Sequence, residues 1–310
     1  MCYSAEAWAD YRLFVKQFKA TISIREFVEL YWKRKTDPKV KVPKAMDAAF
    51  SSPHTDLERE IHGLIEEFNQ GQASKFEKEL FTQTKRLNDA ERALQVKETK
   101  KAQEDQRIAT NKIATAKNKL SDLRRTELKP RDTRIFPGVY AAVMVAENGK
   151  RVVKPMRYQC RPAGKPAFYD VKYPGTYNAR RDNLEGFWKG QFGHTHGLMV
   201  AETFYENVEG PDGKNQVLQF TPRTGEPMLI ACLWSHWTDP KGVEPDLLSF
   251  AAITDDPEPE VAAAGHDRTI INIKPEHVDA WLNPDPANLA ALYAIFDDKR
   301  HPYYEHRMAA

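Results

Sequence analysis

Apolar residues recur every three or four positions through much of the first 68 residues, as they do on one face of an amphipathic helix. Pro38, Pro43 and Pro53 interrupt this pattern, and proline ends or kinks a helix because it lacks a backbone N–H. We therefore predict several short helices in this part of the chain. The apolar positions are Phe14, Phe18, Phe27, Leu30, Tyr31, Leu57, Ile61, Leu64, Ile65 and Phe68.

A longer helical pattern follows, from Gln72 to Lys129, where the chain has neither glycine nor proline. Its apolar positions alternate in steps of three and four, which is typical of a coiled coil. The pattern meets charged residues at positions 97–104 and resumes in another register. The segment is therefore either one very long helix or an antiparallel pair whose tip lies near residues 97–105. The apolar positions are Phe76, Leu80, Leu87, Ala90 and Leu94, then Ile108, Ile113, Leu120 and Leu123.

After Pro130 the pattern changes to short apolar runs separated by turn residues, which predicts β-strands. The run 139–145 and Arg151–Val153 flank the sequence Glu-Asn-Gly-Lys at 147–150, a typical hairpin turn. Further strands are predicted at 197–203, 217–221, 228–237 and 247–254, and two helices near 275–283 and 286–296. The fold class predicted is α+β, with a mostly antiparallel, barrel-like sheet and peripheral helices. Residues 1–9 and 130–310 would form one domain built on this sheet, and residues 10–129 a helical insertion with a coiled-coil segment at about 72–128.

Composition excludes a disordered chain and a membrane-spanning protein. Hydrophobic residues make up 41% and charged residues 29% of the 310 positions, which fits a folded chain, and no apolar run reaches the roughly 18 residues that a membrane span needs. We expect an intracellular, cytoplasmic protein without a secretory signal. Cys2, Cys160 and Cys232 are too few for a disulfide framework, and the latter two are expected to be buried. The net charge is only +2, yet residues 75–131 contain about 16 basic and about 9 acidic residues.

Cys2 is the one distinctive candidate for chemistry, because common nucleotide-binding, zinc-protease and serine-hydrolase motifs are absent. If Met1 is removed, the chain begins with an amine and a thiol on adjacent carbons. Such a pair condenses with an aldehyde to a Schiff base, and the thiol then closes a five-membered thiazolidine ring. His194 and His196 could form half of a metal site, but no supporting ligand lies at suitable spacing, so we predict no metal and no cofactor.

A series of motifs in the second half resembles the SRAP family of abasic-site-processing proteins, also called SOS-response-associated peptidases. The order of the motifs, together with a cysteine at position 2, carries the resemblance, which covers residues 1–3 and about 135–300. The motifs are Asn178-Ala179-Arg180, Phe204-Tyr205-Glu206, Ala231-Cys232-Leu233-Trp234, the strand Phe250–Thr254, His266-Asp267-Arg268 and Trp281-Leu282.

The resemblance implies a protein that links covalently to ring-opened abasic sites in single-stranded DNA through a thiazolidine at Cys2, with reversal of the link and removal of Met1, by autoproteolysis or by an aminopeptidase, as further expectations. It implies that Glu206 is a general acid and base, that His266 transfers protons and that Asn178 holds the Cys2 amine or a sugar hydroxyl. It also implies lyase-like or peptidase-like, hydrolytic chemistry in the response to DNA damage, and a nucleoid-associated location when the protein is bound to DNA.

The same resemblance assigns DNA contacts to Arg180, Arg268 and Arg157, with Tyr158 stacking on a base. The sequence also departs from the family. Tyr3-Ser4 replaces the usual Gly-Arg, which removes one phosphate-binding arginine, and Asn207 replaces a tryptophan.

Two other functions stay open at this point. Cys2 and His266 could act as the nucleophile and base of a cysteine peptidase. Alternatively, the chain could be a non-enzymatic interaction protein built on its coiled coil. The helical insertion could contact DNA through its lysines, bind a protein partner, self-associate, or have only a structural role.

Overall fold

The computed structural model describes residues 3–210 and 212–309, and the chain forms two compact units. The first comprises Met1–Glu58 and Lys129–Ala310, and the second Arg59–Leu128. The sequence placed the start of the insertion at residue 10, whereas the second unit begins at Arg59. The short helices that precede residue 59 belong to the same unit as the sheet.

The first unit is built on a 12-stranded sheet. Its strands are β1 (Ser4–Ala7), β2 (Thr21–Ile22), β3 (Arg134–Ile135), β4 (Tyr140–Glu147), β5 (Lys150–Tyr158), β6 (Asn178–Arg180), β7 (His196–Glu209), β8 (Asn215–Pro222), β9 (Met228–Trp237), β10 (Leu247–Asp255), β11 (Thr269–Ile270) and β12 (Tyr304–Met308).

The strand order along the main path is β11-β10-β5-β4-β7-β1-β3, and most pairs are antiparallel. The predicted mixed α+β class is confirmed, but the predicted barrel is not, since the described strands do not close into a clean barrel. The reason lies in β7, which has 14 residues and changes partner along its length. Residues 196–201 pair with β9, whereas residues 204–209 pair with β8, so the sheet branches.

The β4–β5 hairpin forms as predicted. Asn148 and Gly149 at its turn have φ of 51° and 71°, the left-handed conformation that a type I′ turn requires at both central positions. Buried aromatic side chains of the sheet, among them Phe204, Phe220 and Phe250, form much of the core.

Nine helices are present in the described part of the chain. They are α1 (Tyr11–Phe18), α2 (Ile24–Thr36), α3 (Lys44–Ala48), α4 (Asp56–Val96), α5 (Lys100–Arg124), α6 (Tyr169–Lys172), α7 (Pro259–Ala263), α8 (Val278–Leu282) and α9 (Leu289–Asp297). None of them is long and apolar enough to cross a membrane.

The second unit is an antiparallel pair formed by α4 and α5, which decides between the two predicted arrangements. Ion pairs link Arg86 to Asp105, Lys112 to Glu79 and Arg124 to Glu77, so later residues of α5 meet earlier residues of α4. The chain reverses at residues 97–99, and the Thr99 hydroxyl caps α5 by accepting a hydrogen bond from the Ala102 N–H. Alanines recur every seven residues on the buried side of α5, at positions 102, 109 and 116.

Candidate active site

Glu206 lies on β7 beside the first described residue of the chain. Strand β1 pairs antiparallel with β7, so that Ser4 is opposite Tyr205. The Tyr3 N–H continues this ladder by donating to the Tyr205 carbonyl at 3.3 Å. The same N–H partly offsets the effect of burial by lowering the pKa of the Glu206 carboxyl group. Glu206 is only 1% exposed. The pairing of β1 with β7 therefore brings the start of the chain to a buried carboxyl group.

His266 contacts the same carboxyl group. Its Nε2 lies 3.2 Å from Glu206 Oε2, and both side chains are largely excluded from solvent. Burial raises the pKa of Glu206 to about 8, because a carboxylate loses hydration when it is buried. Burial also lowers the pKa of His266, for the corresponding reason on an imidazolium. Both shifts favour the neutral forms of the two groups.

A turn after α7 orients the His266 ring. Gly265 has a φ of +91°, a backbone conformation that residues with a side chain rarely adopt, and this lets the chain turn at the end of the helix. The other ring nitrogen, Nδ1, lies 2.9 Å from the Arg268 carbonyl. A proton on Nδ1 would donate to that carbonyl and leave Nε2 as the acceptor facing Glu206.

Asn178 lies on β6 and is held by Thr254 of β10. The Thr254 hydroxyl donates to Asn178 Oδ1 at 2.7 Å, and Asn178 is buried. Thr254 is paired with Arg180 on one side and with Ile270 on the other. The end of β10 therefore brings the Asn178–Arg180 strand near the His266–Arg268 segment.

Arg180 and Arg268 face a common carboxylate. Arg180 forms an exposed ion pair with Asp182, and this contact lowers the pKa of Asp182, with Arg268 contributing in the same direction. Arg268 lies 3.6 Å from Asp267 and has a mostly buried side chain. These two predicted DNA contacts lie in one region, and both already have acidic neighbours.

A cavity of about 260 Å³ adjoins Asn178 and Arg180. Tyr169 and Phe187 stack at 6.2 Å between ring centroids, and Trp188 packs edge-on against Phe187 at 4.9 Å. Tyr173 completes an aromatic wall and is 46% exposed. Such a wall is suited to stacking with a planar base.

Arg157 and Tyr158, for which the sequence analysis predicted contacts with DNA, have partners inside the protein instead. Arg157 is paired with Asp170 at 2.6 Å, and Arg161 shares the same carboxylate. Tyr158 is 1% exposed, because its ring stacks on Phe250 at 5.2 Å. A base has no access to a ring buried in this way, so the structure does not fit the predicted stacking role of Tyr158.

The remaining candidates are buried side chains or lie outside the described residues. Cys2, the predicted nucleophile, lies outside them. Cys160 and Cys232 are fully buried as predicted, and burial raises the pKa of the Cys160 thiol to about 12.

His196 of the two-histidine motif bonds to the Trp281 carbonyl and accepts from the Gly193 N–H, and burial lowers its pKa to about 3. Residues 3–210 and 212–309 contain no cluster of three or more His, Cys, Asp or Glu side chains arranged for a metal.

Two residues that the sequence analysis did not single out lie close to the predicted ones. Thr254 holds Asn178, and Arg134 donates to Ser4 at the start of the chain. Thr254 ends the motif strand Phe250–Thr254, whereas Arg134 lies in none of the motifs. The alternation of polar and small apolar residues in Ser4-Ala5-Glu6-Ala7 is a short strand signal that could have indicated β1.

Comparison with known proteins places the chain in a family. A family model described as SOS response associated peptidase (SRAP) matches residues 89–307, and the chain belongs to this family. Membership supports the context of the SOS response and DNA damage, an interaction with DNA, and an association with abasic-site processing. No curated protein matches the chain.

Solved structures are similar to part of the chain. A protein from Bordetella bronchiseptica is 18% identical with a TM-score of 0.47, covering 57% of this chain and 87% of its own. One from Bacteroides thetaiotaomicron is 13% identical with a TM-score of 0.47, covering 57% and 77%. A phage-related protein from B. bronchiseptica is 24% identical with a TM-score of 0.43, covering 57% and 80%.

Proposed function

We propose that this protein captures abasic sites in single-stranded DNA by forming a thiazolidine at Cys2. The observation that carries the proposal is the buried Glu206–His266 pair beside the Tyr3 backbone. Cys2 is bonded directly to Tyr3, so its amine and thiol need to reach only the neighbouring space. The proposal requires that Met1 be removed, since only then does Cys2 carry a free α-amine.

The reaction balances without an external reagent. The ring-opened abasic sugar has an aldehyde at C1′, which the Cys2 amine attacks to form a carbinolamine. Loss of one water gives the imine, and the thiol then adds across the C=N bond while its proton passes to nitrogen. Protonated Glu206 would donate its proton to the leaving oxygen and take back the proton that nitrogen releases as the imine forms. His266 Nε2, 3.2 Å from the carboxyl group, would accept a hydrogen bond from the protonated Glu206.

Glu206 also has a role before and after capture. The closed abasic sugar opens when its ring oxygen is protonated and its hydroxyl is deprotonated, which a carboxyl group with a pKa of about 8 can do in either direction. The same group would protonate nitrogen or sulfur when the link is reversed. One acid and base thus serves opening, closure and reversal.

DNA contacts would come from the region around the end of β10. Arg180 and Arg268 would bind phosphates in competition with Asp182 and Asp267. The aromatic wall around Asn178 would stack with a neighbouring base. A single strand fits this site because exposing the sugar then costs no base pairing. We do not include Arg157 and Tyr158, which have internal partners.

The helical pair α4–α5 would serve a separate purpose, as a surface for self-association or for a protein partner. The ion pairs along the two helices stabilise the pair itself and leave its lysines at 97, 100 and 101 on the exposed surface. Contact of these lysines with DNA is the alternative.

Intact-protein mass spectrometry tests the proposed reaction. The processed protein is mixed with a single-stranded oligonucleotide that contains one abasic site. The expected product has the combined mass less one water. Cys2→Ala should abolish it, whereas Cys160→Ala, a matched substitution at a buried thiol, should not.

The outcomes separate the three hypotheses. Cleavage of peptides without any DNA adduct would support the cysteine peptidase instead. A partner-binding activity that persists in Cys2→Ala and is lost on deletion of residues 70–128 would support the interaction protein.

A further inference from the structure

Arg134 of β3 is a half-buried cation at the start of the chain. Its Nε donates to the Ser4 hydroxyl at 3.0 Å. The guanidinium carbon lies 3.4 Å from the centroid of the Tyr205 ring and 4.9 Å from that of Phe136. Two aromatic faces and one hydroxyl therefore fix the orientation of the side chain.

Arg134 differs from the other half-buried arginines of the first unit in its partners. Arg151 is paired with Asp279, Arg161 with Asp170, and Arg181 with Asp255. Within residues 3–210 and 212–309, no carboxylate oxygen lies within 4.0 Å of an Arg134 nitrogen. Glu6, which contributes to the electrostatics around Arg134, accepts instead from the Tyr205 hydroxyl.

This arrangement leaves N–H donors of the Arg134 guanidinium available to bind a ligand. A guanidinium has five N–H donors, and only the Nε–H is used by Ser4. Aromatic faces stabilise the cation without occupying its N–H edge. Burial lowers the pKa of Arg134, yet a guanidinium stays charged at neutral pH. A planar fork of this kind matches the oxygens of a phosphate.

Arg134 lies near the start of the chain, where the reaction proposed above takes place. Ser4 is two residues from Cys2 in the sequence. It stands at the position where the family resemblance implies a phosphate-binding arginine, which this chain lacks. Tyr3, which is 39% exposed, packs edge-on against Phe136 at 5.6 Å and forms an apolar wall next to the guanidinium. A cation from the neighbouring strand β3 thus lies where position 4 provides none.

We propose that Arg134 binds a phosphodiester of the single-stranded DNA next to the abasic nucleotide. This inference rests on the proposed function, and it names a contact that the motif residues do not supply. Arg134 would hold the strand by its backbone, independently of base sequence, so that the aldehyde meets the start of the chain.

The test compares the DNA affinity of Arg134→Gln with that of the unsubstituted protein over a range of salt concentrations. We expect affinity for an abasic oligonucleotide to fall roughly tenfold at low salt, and the slope of log affinity against log salt to decrease by about 0.7, the value for one single-strand phosphate contact. Lys150→Gln removes one charge from the exposed β4–β5 turn and should change neither quantity.

Oligonucleotides with single neutral methylphosphonate linkages locate the contact. One linkage beside the abasic site should weaken binding of the unsubstituted protein as much as Arg134→Gln does, and the two changes together should have no further effect. This measurement with unsubstituted protein stands even if Arg134→Gln is unstable, which thermal unfolding would reveal.

The results distinguish this inference from the proposed function. If the unsubstituted protein forms no adduct with abasic DNA, the proposed function fails. If it forms the adduct while Arg134→Gln retains the same affinity and slope, and neutral linkages weaken both proteins equally, then Arg134 is a structural support of β1 and the inference is wrong.

Discussion

The two units of the chain place charged side chains in opposite environments. In the first unit, Glu206 and His266 meet below the surface, and burial moves both pKa values toward the neutral forms. In the second unit, pairs such as Arg124–Glu77 remain more than half exposed, where water and salt screen them. The difference shows why the first unit is suited to proton transfer, since a buried carboxyl group can hold a proton at neutral pH and an exposed one cannot.

The units also differ in how they pack. The sheet buries large aromatic side chains, among them Phe204, which stacks on Phe220 at 5.0 Å. The helical pair buries small residues, with Ala109 fully buried and Phe81 75% exposed. Small side chains at every seventh position let two helices approach closely, whereas aromatic rings fill the wider space of the sheet.

The largest expected effect concerns the buried pair. Glu206→Gln should slow adduct formation at saturating DNA by about 100-fold or more, because it removes the carboxyl group that we propose as the general acid and base. The isosteric amide keeps the shape of the site. Glu209→Gln on the same strand is the matched control, since Glu209 is exposed and should retain the normal rate. Equal rates in both variants would show that Glu206 takes no part in the reaction.

A second prediction concerns packing. Phe204→Ala should destabilise the first unit by about 3–5 kcal/mol, because it leaves a cavity in the aromatic core. Ala109→Leu should destabilise the helical pair by about 1–3 kcal/mol, because the larger side chain cannot fit between the helices. Denaturant unfolding followed by tryptophan fluorescence and by circular dichroism measures the two effects. A stabilising effect of Ala109→Leu would contradict the close approach of α4 and α5.

A third prediction concerns pH. Folded Glu206 has a pKa of about 8, above that of an unfolded glutamate, so the folded state keeps a proton that the unfolded state has lost. Between about pH 5 and 8, stability should therefore fall as pH rises, by at most about 1.4 kcal/mol per pH unit for one proton.

Glu206→Gln isolates this effect, because the amide does not titrate. The stability of the unsubstituted protein relative to Glu206→Gln should decline across that pH range in chemical denaturation. A difference that stays constant, or that grows with pH, would contradict the raised pKa.

The smallest expected effect concerns the helical tip. Replacing Lys97, Lys100 and Lys101 with glutamine should change the rate of adduct formation at saturating DNA less than twofold, because the proposed reacting groups all belong to the first unit. The salt dependence of DNA affinity then decides between the two roles of the tip. A slope lower by about 0.7 per lysine would show phosphate contacts, and an unchanged slope would leave a protein-binding role.

Sequence patterns predicted local structure well, and long-range contacts less well. The Asn148-Gly149 turn follows from short-range preferences of the backbone, so the hairpin could be predicted. The charged residues near position 97 left the helix pair as one of two predicted arrangements, and the structure decided between them. The burial of Tyr158 could not, because it depends on the parallel pairing of β5 with β10, which places Tyr158 opposite Phe250.

The candidate site shows the same limit. Glu206 and His266 were grouped through the family resemblance, and the structure places them in contact. Arg134 carries no motif, and its relation to Ser4 arises only when β3 pairs with β1. A contact between residues of neighbouring strands can be recognised only once the pairing of the strands is known.

Peptide mapping of the DNA adduct tests the central claim most directly. After digestion with nuclease and trypsin, the account predicts that the deoxyribose remnant is found on the peptide Cys2–Arg12, with fragment ions that place it on Cys2 and with the thiol protected from alkylation. A remnant on a lysine, a free Cys2 thiol in the adduct, or an adduct peptide that still begins with Met1 would contradict it.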